Sequence, residues 1–393
     1  MSETSVRAEA SGWLHEDDCR LPDFIDIVTQ PTQQSDYPYA AAVDQGAVVY
    51  DCEALAAAAD QPARRRAVQA ELARVLLRGP GVFVMKGAFS DVAVIDRVSD
   101  AFGAMIQDQH RAGTAAGDHF AKPGANDRIW NALEKLALLD PVAFADYYAN
   151  DMIALAAQAW LGPGYQMTSQ VNRVNPGGAA QMAHVDYHLG FQSNEISEQY
   201  PAHVHALSPT LTLQGAVAHV DMPLESGPTL YLPHSQKYPL GYLAWRNPDF
   251  RQYFDDNCVQ LALTKGDVVF FNPSLFHAAG HNRSSDIARM ANLLQVSSAF
   301  GRAMETVDRE AMAKVLYPVL VSMQAAGAPL RALANVVAAS AEGYAFPTNL
   351  DRDQPLGGLA PEAQAQIVWR NLAASMPAEA VATELAAYRL RRS

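Results

Sequence analysis

The stretch at residues 183–191, "AHVDYHLGF", decides the fold, because it places His184 and Asp186 two positions apart. In an extended strand, residues i and i+2 point to the same face. The spacing therefore predicts that an imidazole and a carboxylate are directed at one point. A second histidine from a neighbouring strand would complete a set of two histidines and one carboxylate, which leaves open coordination positions suited to Fe(II) and oxygen chemistry.

The sequence contains three His-x-Asp triplets, and their contexts distinguish them. The triplet that begins at His15 lies in a polar tail, "HEDD", which is typical of solvent-exposed residues. The triplet that begins at His219 ends an apolar strand and runs into the turn signal "MPLESGP", which favours a strand-end and turn-capping pair. His184 and Asp186 instead lie in an alternating segment that follows a glycine-rich turn and precedes aromatic residues. That setting is typical of a site at the mouth of a barrel.

The third ligand is expected downstream, in "GDVVFFNPSLFHAAGHNRSSDIARMANLLQV" at 266–296. A buried strand leads to His277, and Arg289 follows at the start of another strand. A guanidinium on the strand next to a metal ligand can hold a carboxylate through two parallel hydrogen bonds, as a bidentate 2-oxo acid requires. Two alternatives stay open: His277 as a hydrogen-bonded core histidine, and Arg289 as a structural partner of Asp267 or Asp286.

Short apolar or alternating runs, separated by turn signals such as "NPGG" and "TKGD", occupy residues 165–299. They predict a sandwich or jelly-roll barrel. Helical periodicity predicts helices on both flanks of this region, among them helices at 128–139 and 141–160. Asp60 and Ser90 are the expected caps of two N-terminal helices, and a long loop is expected at 110–126. The fold class is therefore α+β with a mainly β core, N-terminal helices and a C-terminal helical extension.

Composition and charge limit the possible partners. The formal net charge of −13 argues against a nucleic-acid binder or an anionic-membrane binder. Cys19, Cys52 and Cys258 are widely spaced, which fits reduced thiols better than disulfides or a cysteine-based zinc site. The N-terminus shows no secretory apolar segment, and no run reaches the roughly 18 apolar residues of a membrane span. We therefore expect a cytoplasmic protein with a small-molecule substrate and neither a nucleic-acid nor a membrane partner.

Three motifs follow one another in the order found in a known family: "HVD" at 184–186, "ESGPTLYLPHSQK" at 225–237 and "GDVVFFNPSLFHAAGHNRS" at 266–284. With the later arginine, they resemble the phytanoyl-CoA dioxygenase family of Fe(II)/2-oxoglutarate-dependent oxygenases, over roughly residues 79–299. The resemblance implies a double-stranded β-helix, related to jelly rolls and cupins. It also implies that His184, Asp186 and His277 are the iron ligands and that Arg289 clamps the 2-oxoglutarate.

The function implied by the resemblance is an Fe(II)/2-oxoglutarate-dependent dioxygenase. Such an enzyme would use O2 to hydroxylate a small or medium-sized organic substrate and would release succinate and CO2. Gln170 and Asn172 alternate on the strand before the His-x-Asp triplet, so they are candidates to contact 2-oxoglutarate. The candidates for the substrate side are Arg128, Trp130, Tyr187 and His188.

The chain departs from the family's pattern at two places. Ala279 stands where many members have a serine two residues after the distal histidine, and "HSQK" at 234–237 replaces Gly-Ser-His-Lys. The metal-binding aspartate is present, whereas halogenating relatives have a small residue there. An alternative reading is a cupin-like barrel that binds another divalent metal, as a non-oxidative isomerase or lyase or as a binding module.

The expected organisation has three parts. Residues 1–78 form an N-terminal arm and helix, 79–300 form the oxygenase domain with its supporting helices, and 301–393 form a helical extension packed on the same domain. Ala-rich amphipathic helices of this kind can cover the outside of the barrel, close its mouth or build an oligomer. The sequence does not identify the substrate.

Overall fold

The computed structural model describes residues 12–114 and 124–392. Its two sheets are built from short strands, as the turn-separated apolar runs predict. The strands are β1 (Ala42–Asp44), β2 (Ala47–Asp51), β3 (Val82–Lys86), β4 (Asn126–Ile129), β5 (Gln166–Val174), β6 (Thr212–Ala218), β7 (Leu230–Tyr231), β8 (Val259–Gln260), β9 (Val268–Phe271), β10 (His277–Ala278) and β11 (Arg289–Ser297).

The larger sheet has eight strands in the order β1-β2-β3-β9-β6-β11-β5-β4. Its pairings are antiparallel except that between β2 and β3, which is parallel. The smaller sheet has the order β10-β7-β8. Two isolated antiparallel bridges lie outside the strands: one joins His184 to His277, which lies on β10, and the other joins Met222 to Leu263. The two sheets form the expected double-stranded β-helix with a mainly β core.

Helices flank this core on both sides in sequence. Those that precede it are Leu21–Val28, Cys52–Ala59, Pro62–Leu77, Val92–Arg111, Ala132–Leu139, Pro141–Tyr148 and Asp151–Leu161. Short helices between strands are Asn194–Ser197, Ala202–Leu207, Gly241–Ala244 and Pro248–Asn257. The C-terminal helices are Arg309–Ala325, Leu330–Ser340, Gln364–Ala373 and Ala378–Arg392.

Several local expectations were wrong. Asp60 ends one helix, and the next begins after Gln61, whose side chain makes no capping bond. Asp91, not Ser90, caps the helix at Val92–Arg111, where its carboxylate accepts from the backbone N–H of Ala93. The loop expected at 110–126 is shorter than predicted, because the helix continues to Arg111 and β4 begins at Asn126. Residues 115–123 of this loop lie outside the described residues.

The region predicted as two helices at 128–139 and 141–160 is divided differently. β4 takes residues 126–129 because it pairs with β5 in the register Arg128↔Asn172. Three helices follow instead of two, since Asn150 caps a new helix by accepting from the N–H groups of Met152 and Ile153. The expected helix at 141–160 is therefore interrupted at residues 149–150.

The C-terminal helices share the main hydrophobic core with the barrel. Met312 and Leu316 are fully buried in the same cluster as Leu133, Leu136 and Leu294, which lies on β11. β1 and β2, from the expected N-terminal arm, extend the large sheet. The domain boundaries near residues 78 and 300 stay predictions. Among the described helices, none is both long and apolar enough to cross a membrane.

Candidate metal centre and active-site cavity

The backbone around residues 183–191 is not the regular strand that the alternation predicts. His184 and His277 exchange two backbone hydrogen bonds, at 2.9 and 3.1 Å, as an isolated bridge. The N–H of Asp186 then donates to the carbonyl of Pro273 at 2.9 Å. Beyond it, the backbone of Tyr187 has a φ of 63°, so the chain leaves the extended direction directly after the aspartate. The bridge is nevertheless sufficient to direct both side chains to one point.

His184, Asp186 and His277 come together as the spacing predicts. One ligand atom from each lies within 4.8 Å of the others. Nε2 of His277 is 3.3 Å from Oδ2 of Asp186, and Nε2 of His184 is 3.9 Å from Oδ1. Among the residues that the structure describes, this is the one group of three or more His, Cys, Asp or Glu side chains arranged to hold a metal ion.

Both histidines are fixed in the tautomer that metal binding requires. Nδ1 of His184 lies 2.9 Å from the carbonyl of Met182, and Nδ1 of His277 lies 2.8 Å from the carbonyl of Leu275. A carbonyl only accepts, so Nδ1 carries the proton and the lone pair remains on Nε2. The Phe271 ring packs against His277 at 4.8 Å between centroids and restricts its rotation.

Asp186 is held as a carboxylate. Burial by itself raises its pKa; a hydrogen bond and charge from His277 and the charge of His184, which act when the two rings are protonated, and a hydrogen bond from Gln214 lower it below the ordinary range. Nε2 of Gln214, on β6, donates to Oδ2 at 2.5 Å. Gln214 is a partner of the ligand that the sequence analysis missed, because β6 lies far from the triplet along the chain.

A cavity of about 250 Å³ extends from this group between the two sheets. At one end lies Arg289, the first residue of β11, which is 7% exposed. Its Nη1 is buried and has no hydrogen-bond partner among the described side chains and backbone. Burial lowers the pKa of Arg289 to about 10, partly offset by Tyr231, so the guanidinium stays charged at neutral pH.

The surroundings of Arg289 suit the carboxylate of a 2-oxo acid. Tyr231, which also lines the cavity, has a buried hydroxyl with no partner within the described parts of the chain. Asp267, one of the acids considered for Arg289, instead pairs with Lys86 at 2.8 Å. A buried cation beside an unused hydroxyl calls for an anionic ligand. The residues present therefore fit 2-oxoglutarate at this end and a divalent metal at the other.

The motifs at 225–237 support the strand that carries His277. Gly227 has a φ of 72°, and an added Cβ would come within 2.4 Å of the carbonyl oxygen of His281, so only glycine fits this approach. Oγ of Ser235 accepts from the N–H of Phe276 at 2.8 Å. The ring of His234 is bonded to Thr32 and to the carbonyl of Gly79, so the altered "HSQK" stretch still anchors the turn.

Gln170 and Asn172 both line the cavity, although much of their bonding capacity is used within the protein. Oε1 of Gln170 accepts from Arg128 at 2.5 Å, and its Nε2 donates to Glu305 at 3.3 Å. Oδ1 of Asn172 accepts from Asn126 at 3.3 Å. Their contact with 2-oxoglutarate stays a prediction, and Gln170 has a second role as a link between Arg128 and Glu305.

The four candidates for the substrate side separate into two pairs. Arg128 and Trp130 line the cavity, with the guanidinium stacked 4.8 Å above the indole ring. Tyr187 is buried behind the metal group, and Nδ1 of His188 lies 3.1 Å from Oγ of Ser208. Neither of the latter two is a lining residue. Ala279 does line the cavity, so the missing serine leaves an apolar wall there.

The other histidines singled out in the sequence lie elsewhere. His219 is buried between Ser99 and Tyr147, at 2.8 and 3.0 Å, and burial lowers its pKa to about 3. Oδ1 of Asp221 accepts from the backbone N–H of Lys265, in agreement with a turn role. His15 and His281 are exposed.

The mouth includes side chains that the sequence analysis did not single out. Phe191 and Met304 line the cavity together with Trp130, and Met304 comes from the segment after β11. Glu305, beside it, is part of the Gln170 link, and burial raises its pKa. No local pattern marks residues 304–305, because they reach the cavity only through the fold.

Comparisons with known proteins agree with this geometry. Residues 46–291 match the family model described as phytanoyl-CoA dioxygenase (PhyH), which begins upstream of the resemblance, at β2. A search of curated proteins found no match.

Solved structures similar to the chain include three proteins at low identity. The non-heme alpha ketoglutarate dependent epimerase SnoN from nogalamycin biosynthesis is 18% identical over 61% of this chain and 85% of that chain, with a TM-score of 0.40. The carbocyclase SnoK from the same biosynthesis is 20% identical over 58% and 83%, with a TM-score of 0.41. HygX from Streptomyces hygroscopicus, with nickel and 2-oxoglutarate bound, is 13% identical over 60% and 90%, with a TM-score of 0.40. Because the family model matches well over half of its length, this chain belongs to the phytanoyl-CoA dioxygenase family.

Proposed function

We propose that this protein is an Fe(II)/2-oxoglutarate-dependent oxygenase that hydroxylates a small or medium-sized organic substrate and releases succinate and CO2. The observation that carries the proposal is the pairing of two sites in one cavity. The two Nε2 atoms and the carboxylate of Asp186 converge within 4.8 Å, and the buried, charged Arg289 lines the same cavity. Family membership supports the same assignment.

Each residue has a definite task in this proposal. His184, Asp186 and His277 hold the metal on one face and leave the opposite positions open. Arg289 and Tyr231 bind the far carboxylate of 2-oxoglutarate. When bound, the iron and 2-oxoglutarate supply the oxidising chemistry, with O2 as the oxidant.

The apolar walls between the two ends keep water away from the reacting centre. Leu261, Leu263 and Val269 line the cavity there, and each is less than a tenth exposed. A dry, low-dielectric setting strengthens the attraction between Arg289 and a carboxylate.

The unpaired state of Cys19, Cys52 and Cys258 supports our further proposal that the protein acts in the cytoplasm.

Anaerobic titration with Fe(II) and then 2-oxoglutarate tests the proposal. A weak visible charge-transfer band is expected only when both are present, followed by O2-dependent formation of succinate. His277→Ala and Asp186→Ala should abolish both signals. The matched control is His281→Ala, because His281 is exposed and lies outside the metal group.

The result also separates the proposal from the non-oxidative alternative. Stoichiometric metal binding with no band and no affinity for 2-oxoglutarate would contradict the oxygenase assignment. It would favour the cupin-like metal-binding barrel. Succinate formation that survives both ligand substitutions would contradict the assignment of the metal ligands.

A further inference from the structure

The mouth of the cavity has an apolar rim formed by three large side chains. Trp130, Phe191 and Met304 line the cavity, and Phe191 and Met304 are also 53% and 36% exposed to solvent. Large apolar side chains that remain exposed beside a concave site mark ligand contacts more often than chance exposure does. Met304 lies beyond the family match, which ends at residue 291, so this part of the rim belongs to the chain's own C-terminal segment.

The segment that presents Met304 is held in place by four hydrogen bonds. Gln166 donates to the carbonyls of Ser298 and Gly301, at 2.7 and 2.9 Å. Oε1 of Glu305 accepts from the N–H of Asn131 at 2.7 Å. The N–H of Asp308 donates to Glu134 at 2.7 Å. Residues 298–308 therefore form a built wall of the cavity.

Some of the polar groups behind the rim are engaged with one another, whereas Oε2 of Glu305 and Oε1 of the cavity-lining Gln295 have no hydrogen-bond partner among the described residues. Gln170 links Arg128 to Glu305 through both ends of its amide. The positive charge of Arg128 offsets the negative charge of Glu305. Burial raises the pKa of the Glu305 carboxyl, and the charge of Arg128 counteracts this rise. A substrate that took its hydrogen bond from the amide of Gln170 would have to break this link, and a buried polar group left without its partner is costly. An apolar substrate leaves it intact.

We infer that the rim selects a substrate with an uncharged apolar ring or chain, which packs on Trp130, Phe191 and Met304 while the carbon to be oxidised faces the metal. This inference deepens the proposed function and rests on it. Met304 is then a specificity-determining residue. Glu305 is a positioning residue. It does not line the cavity, and its hydrogen bonds to Asn131 and Gln170 hold the wall that presents Met304 to the substrate.

The test uses the full-length protein with Zn(II) in place of iron and with 2-oxoglutarate bound, so that the sample is diamagnetic. Saturation-transfer NMR compares two uncharged probes, 1-naphthalenemethanol and myo-inositol. We expect transfer to the naphthalene ring and none to the inositol. Met304→Ser should weaken binding of the aromatic probe about tenfold, because a buried apolar contact is lost.

The matched control is Met376→Ser, since Met376 is similarly exposed, at 39%, and does not line the cavity. Glu305→Ala should weaken the aromatic probe as Met304→Ser does, whereas Glu305→Gln keeps the acceptor oxygen and should bind like the parent. A structural defect would also change 2-oxoglutarate affinity, which calorimetry on the same samples should find unaltered.

Three results would overturn the inference: binding of myo-inositol in preference to the aromatic probe, binding of neither, or equal effects of Met304→Ser and Met376→Ser. Failure of the proposed function is a different result. It would appear as absence of 2-oxoglutarate binding in the parent protein, whatever the probes do.

Discussion

Arg289→Met is expected to strengthen the fold and weaken the site at the same time. Burial lowers the pKa of Arg289 well below the ordinary value of a guanidinium, to about 10. At neutral pH the side chain is charged in both the folded and the unfolded chain, so this shift corresponds to a folding cost on the order of 3 kcal/mol. Methionine is flexible, fills much of the space of the arginine stem and carries no charge, so the ligand-free variant should unfold at a higher urea concentration than the parent.

The same substitution removes the proposed partner of the 2-oxoglutarate carboxylate. Truncation of one member of a buried charge pair costs about 2–5 kcal/mol, which weakens binding by roughly 30-fold to several thousand-fold. Urea unfolding of the metal-free protein and anaerobic titration with 2-oxoglutarate measure the two effects separately. Arg283→Met is the control, because Arg283 is exposed in the preceding loop and should change neither. A less stable variant with unchanged 2-oxoglutarate affinity would refute the reasoning.

Three further predictions concern the groups around the centre. Gln214→Leu should lower metal affinity about 10- to 100-fold in a competition titration, because Asp186 loses the amide that orients it; unchanged affinity would contradict that role. His219→Gln should leave the charge-transfer band intact but reduce the loss of stability as the pH falls from about 6.5 to about 3. Over this range burial keeps His219 neutral in the folded chain, whereas the unfolded chain becomes protonated there, so the parent protein loses stability as the pH falls. Leu316→Ala should cost about 2–5 kcal/mol in urea unfolding, as expected for a fully buried side chain in the shared core, whereas a surface role for its helix predicts almost no change.

The sequence could predict that His184, Asp186 and His277 come together, because each is marked locally. His184 and Asp186 are two residues apart, and His277 follows the apolar strand that becomes β9. Alternation also placed β5, β6 and β11 correctly to within a few residues. In each case the prediction concerns the face of a strand on which a side chain lies, and short-range periodicity in the sequence determines that face.

The predictions that were wrong, and the residues that were missed, depend on information that a short stretch of sequence does not contain. Residues 128–129 directly precede a helix and were predicted as its first residues, but their pairing with β5 makes them part of β4. Asp91 displaced Ser90 as a cap because two good capping residues are adjacent there, and sequence alone does not rank them. Gln214 and Tyr231 reach the site only because β6 and β7 lie beside the strands that carry the metal group and Arg289, so no window of the sequence contains both partners.

The geometry of the bridge explains why so short a motif suffices. His184 and His277 are hydrogen-bonded to each other through their backbones, so a single pairing fixes two of the proposed metal ligands at once. Asp186 extends the pairing to Pro273, and at Tyr187 the backbone turns into a region that non-glycine residues rarely adopt. That turn stops the segment from continuing as a strand alongside the residues that precede β10. The chain bends away to form the cavity wall that contains Phe191, and the centre lies where regular pairing ends.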